Sequence, residues 1–103
     1  MNITVTEKAF AWFDEEFNLD SEESIRFFIR YGGHSQILKG FSVGISQEFP
    51  KRPAVTSELH NVQFFIEEDD RWFFNNYDLH ITYDTKKEEI DFEFHSTSQG
   101  NEA

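Results

Sequence analysis

Apolar residues recur along this chain first at helical and then at alternating spacing, and the change of period divides it into elements. Ala9, Phe10, Phe13 and Phe17 fall on one helical face, with Asp14, Glu15 and Glu16 mostly on the other. Thr6 stands where an N-cap belongs, and Glu7 brings negative charge to the first turn, where the helix dipole favours it. Val5 and Phe10 occupy the positions of a hydrophobic staple. The spacing predicts a helix over 7–17, closed by Asn18-Leu19-Asp20-Ser21 and preceded by a short strand at 2–5.

Period two then takes over. Ile25, Phe27, Ile29 and Tyr31 share one strand face, with Arg26 and Arg30 opposite. Gly32-Gly33-His34-Ser35 reads as a break. Phe41, Val43 and Ile45 alternate with Ser42, Gly44 and Ser46 in a second strand. Pro50 and Pro53 bracket a basic loop holding Lys51 and Arg52, and Val62, Phe64 and Ile66 mark a third strand. A short helix with Trp72 and Phe73 is expected within 67–76. Asn75-Asn76 closes it, since Asn accepts the left-handed conformation of a helix end.

The last unit is a hairpin. Tyr77, Leu79, Ile81 and Tyr83 face one way, and Ile90, Phe92 and Phe94 repeat the pattern. With Lys86-Lys87 as a two-residue turn, Ile81 opposes Phe92, Leu79 opposes Phe94, His80 opposes Glu93 and Asp78 opposes His95. From Ser96 onward the residues are small and polar. One domain over 1–95 with a flexible tail at 96–103 is expected.

Composition supports a folded core. Thirteen Phe, two Trp and three Tyr in 103 residues supply large apolar surfaces, each removing about 150–250 Å² from water when buried. There is no cysteine, so disulfides, zinc-thiolate sites, thiolate-held clusters and cysteine nucleophiles are excluded within the chain. The N-terminal residues lack the basic start and apolar run of a signal peptide, and no stretch is apolar enough for a membrane helix. A cytoplasmic protein is expected. The formal net charge of −11 opposes phosphate backbones and anionic membranes, so neither nucleic acid nor membrane is an expected partner. A cationic partner or a metal ion suits the charge better, although plain solubility is the weightier reading of it.

The order of elements resembles that of the HesB/IscA-like family of A-type iron–sulfur carriers, from Ile3 to about His95. Four segments carry the resemblance. They are Asn2-Ile3-Thr4-Val5-Thr6 before the helix, Ile25-Arg26-Phe27 leading to Arg30-Tyr31-Gly32-Gly33, Gly40-Phe41-Ser42-Val43, and Asn76-Tyr77-Asp78-Leu79 through Ile90-Asp91-Phe92-Glu93-Phe94. The resemblance implies an α+β fold of mostly antiparallel twisted sheets forming a small barrel or sandwich, with an N-terminal helix and one short helix. It also implies a non-enzymatic role in iron–sulfur cluster biosynthesis or iron handling, with protein partners from that assembly pathway. A homodimer is compatible with the family and with the aromatic surplus. The departures are in the ligands. His34 stands where cluster carriers keep a cysteine, and the tail Ser96-Thr97-Ser98-Gln99-Gly100 replaces their Cys-Gly-Cys segment. The chain looks like the cysteine-lacking branch of that family found in Gram-positive bacteria. A thiolate-ligated cluster is therefore ruled out, and weak binding of iron or another divalent metal is the form of metal chemistry left open. The alternative is a protein-interaction or regulatory module that keeps the fold without metal.

Three histidines are the candidate metal ligands. His34 lies in a glycine-flanked loop, and imidazole suits iron, zinc or copper. A loop histidine bonded to backbone or water is the weightier reading. His80 and His95, with Asp78, Asp91 and Glu93, would share the outward hairpin face. A solvated sheet face with cross-strand charge pairs explains them as well, and more commonly. His60 receives no role. Trp72-Phe73-Phe74 offers an aromatic anchor for a partner, although core is the commoner fate of such a run and the expectation for Trp72. No catalytic residue and no cofactor-binding motif is recognised.

Overall fold

The computed structural model describes residues 1–19, 22–34 and 39–97. In chain order the elements are β1 (Ile3–Val5), α1 (Glu7–Phe17), β2 (Ser24–His34), β3 (Lys39–Gln47), β4 (Pro53–Leu59) and β5 (Val62–Glu67). A one-turn 3-10 segment (Glu68–Asp70) then runs into α2 (Arg71–Phe74), followed by β6 (Tyr77–Asp84) and β7 (Glu89–Ser96).

The strands form two mixed sheets, one ordered β1-β6-β7 and the other β3-β2-β5-β4. In the first, β1 lies parallel to β6 while β7 is antiparallel to it. In the second, β2 and β5 are parallel and the outer strands antiparallel. Strands account for 57% of the described residues. The chain is thus a sheet protein with two short helices. The expected α+β HesB-like barrel or sandwich of mostly antiparallel strands is corrected, since each sheet contains a parallel pair and no closed barrel forms among the described residues.

Local chemistry explains the elements. The Thr6 hydroxyl accepts the Ala9 N–H at 3.2 Å and starts α1 at Glu7, as the cap position predicts. Asn18 closes the helix in the left-handed conformation (φ 51°). The expected break after Tyr31 is instead a bulge within β2. The strand continues to His34 while the register against β3 shifts between Tyr31 and His34, with Gly32 and Gly33 at positive φ. The expected loop between Pro50 and Pro53 is followed at once by a strand the alternation did not reveal, because Pro53–Leu59 forms β4. His60 and Asn61, both at positive φ, make the tight turn that returns the chain into β5. Asn76, at φ 73°, takes the left-handed position expected of it before β6.

The terminal hairpin has the expected register, with Asp78 opposite His95, Leu79 opposite Phe94, His80 opposite Glu93 and Ile81 opposite Phe92. Its turn differs. The last pair is Asp84 with Glu89, and the Asp84 carboxylate accepts the Lys86 and Lys87 N–H groups across a four-residue turn. Ser96 ends β7 and the Thr97 N–H donates to the Asn76 carbonyl. Residues 98–103 of the expected tail lie outside the described residues.

The core lies between the two sheets and under α1. Phe13 is fully buried, with its ring 5.3 Å from Phe64 and 5.9 Å from Phe27. Phe27 reaches the other sheet at Phe92, 5.7 Å away. At the opposite end Phe73 and Phe74 of α2 pack on Phe94 of β7. No helix among the described residues is long and apolar enough to cross a membrane.

Candidate functional site

The inward face of β2 carries Ile25, Phe27, Ile29 and Tyr31, and its burial falls along the strand. Ile25 and Phe27 are wholly buried, Ile29 is partly covered, and Tyr31 is 82% exposed. On β3 the partners of these residues are Gln47, Ile45, Val43 and Phe41. The apolar face of this sheet therefore extends past the elements that cover it. At its uncovered end Tyr31 contacts Phe41 (ring centroids 5.2 Å), and Phe41 contacts Trp72 of α2 (6.0 Å, edge-on). Trp72 is 57% exposed. Exposed Tyr31 and Trp72, with half-buried Phe41 between them, form a ridge rooted in the core by Phe73, which touches Phe41, Trp72 and Phe94.

The position of Trp72 corrects the expectation of a core residue. Helix α2 is a single turn, so three consecutive aromatics cannot all point inward. Phe73 and Phe74 take the buried directions and leave Trp72 outside, leaning on Phe41.

An ion-paired network fixes the base of α2 against the sheet. The Arg26 guanidinium donates to Asp70 at 2.8 Å and to Glu48 at 3.4 Å, and its charge lies over the Phe28 ring. Burial works against the Arg26 charge, but the Asp70 hydrogen bond and the charges of Asp70 and Glu48 outweigh it, so its pKa is raised. Ser46 donates a hydrogen bond to Glu48. That bond chiefly, with the Arg26 charge and against the opposing effect of burial, holds the Glu48 carboxyl below its ordinary value. Nearby, buried Glu67 accepts the N–H groups of Lys51 (2.8 Å) and Arg52 (2.9 Å), pinning the loop between the prolines.

A third exposed aromatic, Phe49, stands just beyond the far end of β3 at 69% exposure. It borders a groove of about 470 Å³ with Glu22, Glu23 and Glu58, among other residues.

The sequence-predicted ligands are only partly assembled. His34 ends β2 opposite Lys39, and its side chain lies outside the described part of the structure. His80 and His95 do meet, with ring centroids 4.2 Å apart, and His95 Nε2 lies 3.3 Å from Glu93. Among the described residues no group of three or more His, Asp or Glu side chains could hold a metal ion. His60 is placed against α1, 2.7 Å from Glu7 and edge-on to Phe10. Sequence reasoning missed Tyr31 and Phe49 as surface aromatics. For Tyr31 a signal existed, because it is the last of an alternating run and stands next to Gly32-Gly33, where the sheet ends.

No protein-family model matches the chain. Among curated proteins it is 45% identical over 94 residues to a Bacillus subtilis protein named "Pyruvate dehydrogenase inhibitor", covering 91% of this chain and 99% of that protein. It is 32% identical over 95 residues to an uncharacterised protein of Staphylococcus saprophyticus, covering 89% of this chain and 97% of the relative. An uncharacterised protein of Staphylococcus epidermidis is 31% identical over 93 residues, with 87% and 95% covered. These relatives overturn the HesB/IscA-like resemblance. With it go the iron–sulfur biosynthesis role and assembly-pathway partners it implied, because nothing in these relationships points to that family.

Proposed function

The chain belongs to the family of the Bacillus subtilis protein named "Pyruvate dehydrogenase inhibitor", and from that membership we propose that it inhibits pyruvate dehydrogenase by binding it. The observation that carries the reading is 45% identity over nearly the full length of both chains. A chain of 103 residues exerts such an effect by docking, and the ridge of Tyr31, Phe41 and Trp72 is the surface assigned to the contact. Aromatic residues dominate interface energetics, because a rigid ring buries much area at little entropic cost. Tyr31 and Trp72 are exposed at 82% and 57% yet braced by Phe41 and Phe73. Anchors held in place before binding lose little freedom on association.

In the direct test, purified chain is titrated into a pyruvate dehydrogenase assay and binding is followed in parallel by calorimetry. Saturable inhibition at a fixed stoichiometry is expected. Unchanged activity in the presence of a large molar excess, with no heat of binding, overturns the proposal.

A further inference from the structure

The edge of a sheet presents a row of unpaired N–H and C=O groups. Folded proteins blunt such edges by making them short, or by prolines, bulges and charges that discourage another strand. Among the described residues four strands have an open side, namely β1, β7, β3 and β4. Three are blunted. β1 has only three residues. β4 opens with Pro53, carries a register shift between Pro53 and Val55, and contains Glu58. β7 carries Glu89, Asp91 and Glu93. β3 is the exception. It is nine residues long, and from Gly40 to Ser46 it has no charge and no proline. Its pairing with β2 is regular from Gln47 to Phe41, and among the described residues no strand pairs with its outer side.

We propose that the β3 edge is where a second copy of this chain pairs, antiparallel and centred on Val43. The sequence of the strand is its own complement in that register. Val43 opposes Val43, Phe41 opposes Ile45 and Lys39 opposes Gln47, all on the face that continues the core. On the other face Ser42 opposes Gly44 and Gly40 opposes Ser46, so nothing bulky collides. No like charges meet directly, which would be destabilising in a sheet. By contrast, β7 paired with itself about Glu93 would set two carboxylates face to face. The net charge of −11 on each copy opposes association, but its repulsion is screened beyond about 8–10 Å at physiological salt. Pairing therefore strengthens as salt rises. The product is a continuous eight-stranded sheet with two open β4 ends, both already blunted.

The test uses the whole chain. Sedimentation equilibrium of the wild type is expected to give twice the 12.2 kDa chain mass, with the dimer fraction growing with salt. Because the chain has no cysteine, Val43→Cys supplies a thiol that can only cross-link between copies. Opposed Cβ atoms in an antiparallel pair lie about 4.5–5.5 Å apart, near the separation a disulfide requires. Oxidation should convert Val43→Cys to a covalent dimer and leave Asp91→Cys, on β7, without a covalent link between copies. A wild type that stays monomeric at all concentrations and salts overturns the proposal. So does a dimer that cross-links through Asp91→Cys but not Val43→Cys. A monomer that inhibits overturns the pairing alone. A dimer that does not inhibit overturns the inhibitor reading alone.

Discussion

Replacing Trp72 by Ala separates binding from folding on this molecule. A buried Trp removes up to about 250 Å² from water. At 57% exposure, about 140 Å² of it is left for a partner to cover. At about 25 cal/mol/Å² that area is worth about 3.5 kcal/mol if wholly buried in a complex. Losses of 2 kcal/mol or more mark an interface anchor. Trp72→Ala is therefore expected to raise the inhibition constant against pyruvate dehydrogenase by about 30-fold to 300-fold. Within the fold Trp72 makes two edge-on ring contacts, with Phe41 and Phe73, each worth about 0.5–1.5 kcal/mol. Unfolding free energy in urea should fall by about 1–3 kcal/mol, too little to empty the native state of an ordinary domain. Phe49→Ala is the control. Phe49 is also exposed, at 69%, but it lies beyond the opposite end of β3, about 20 Å or more from Phe41 at the rise of a strand. Its removal should leave inhibition unchanged. If Trp72→Ala inhibits within about threefold of the wild type while folding normally, or if Phe49→Ala is the damaging change, the ridge is not the docking surface.

Three further substitutions probe the supports beneath the ridge and the core. Glu67→Ala removes the acceptor of two backbone N–H groups. Each orphaned donor costs about 1–3 kcal/mol when buried, and water reaches the exposed Lys51 and Arg52, so a loss of about 2 kcal/mol is expected in urea unfolding. A change below about 0.5 kcal/mol would mean that Glu67 does not hold the loop. Glu48→Gln tests the Arg26 network through pH. The folded carboxyl of Glu48 titrates below its ordinary value of 4.5. Its contribution is therefore fully present above pH 4.5 and is lost as pH falls through the lower folded value. The stability gap between wild type and Glu48→Gln should shrink between pH 7 and pH 3, and a gap that widens contradicts the sign. Phe13→Ala empties the centre of the core, where Phe13 is wholly buried against Phe27 and Phe64. A loss of about 3–5 kcal/mol is expected, read as a collapse of the thermal transition toward room temperature.

The elements fixed by local chemistry were legible in the sequence. Thr6 and the phenylalanine spacing define α1 at both ends. The alternation in β6 and β7 sets the hairpin register, although Asp84 builds a longer turn than Lys86-Lys87 suggested. β4 was hidden because Pro50 and Pro53 read as a loop and Val55, Ser57 and Leu59 make a weak alternation. Its tight turn uses His60-Asn61 rather than a glycine pair. The topology was not legible. Both parallel pairings, β1 with β6 and β2 with β5, join segments far apart in the chain, and no local pattern encodes which distant strand is a neighbour. The HesB/IscA-like resemblance failed for a related reason. It rested on the order of elements and a few short glycine-containing segments, features that different sheet proteins share. The histidines show the same limit. The register that brings His80 and His95 together was foreseeable, but a third ligand depends on packing.

The ridge and the β3 edge have one physical origin. Sheet β3-β2-β5-β4 makes an apolar face longer than its cover, since the opposing sheet and α1 close over Ile25 and Phe27 but not over Tyr31. A domain built only for stability would place polar residues on that overhang, because an exposed ring gains nothing from folding. Here Tyr31 and Phe41 extend the inward alternation outward, and Trp72 joins them from a helix that is itself tethered through Asp70 to Arg26. The surplus is costly for a chain that otherwise relies on charge to stay dispersed. It also has geometry, in that the rings touch one another and Phe73 ties them to the core. A braced apolar overhang beside an unblunted strand is what association requires. Because Tyr31 and Trp72 are mostly exposed, either can be removed while the fold persists.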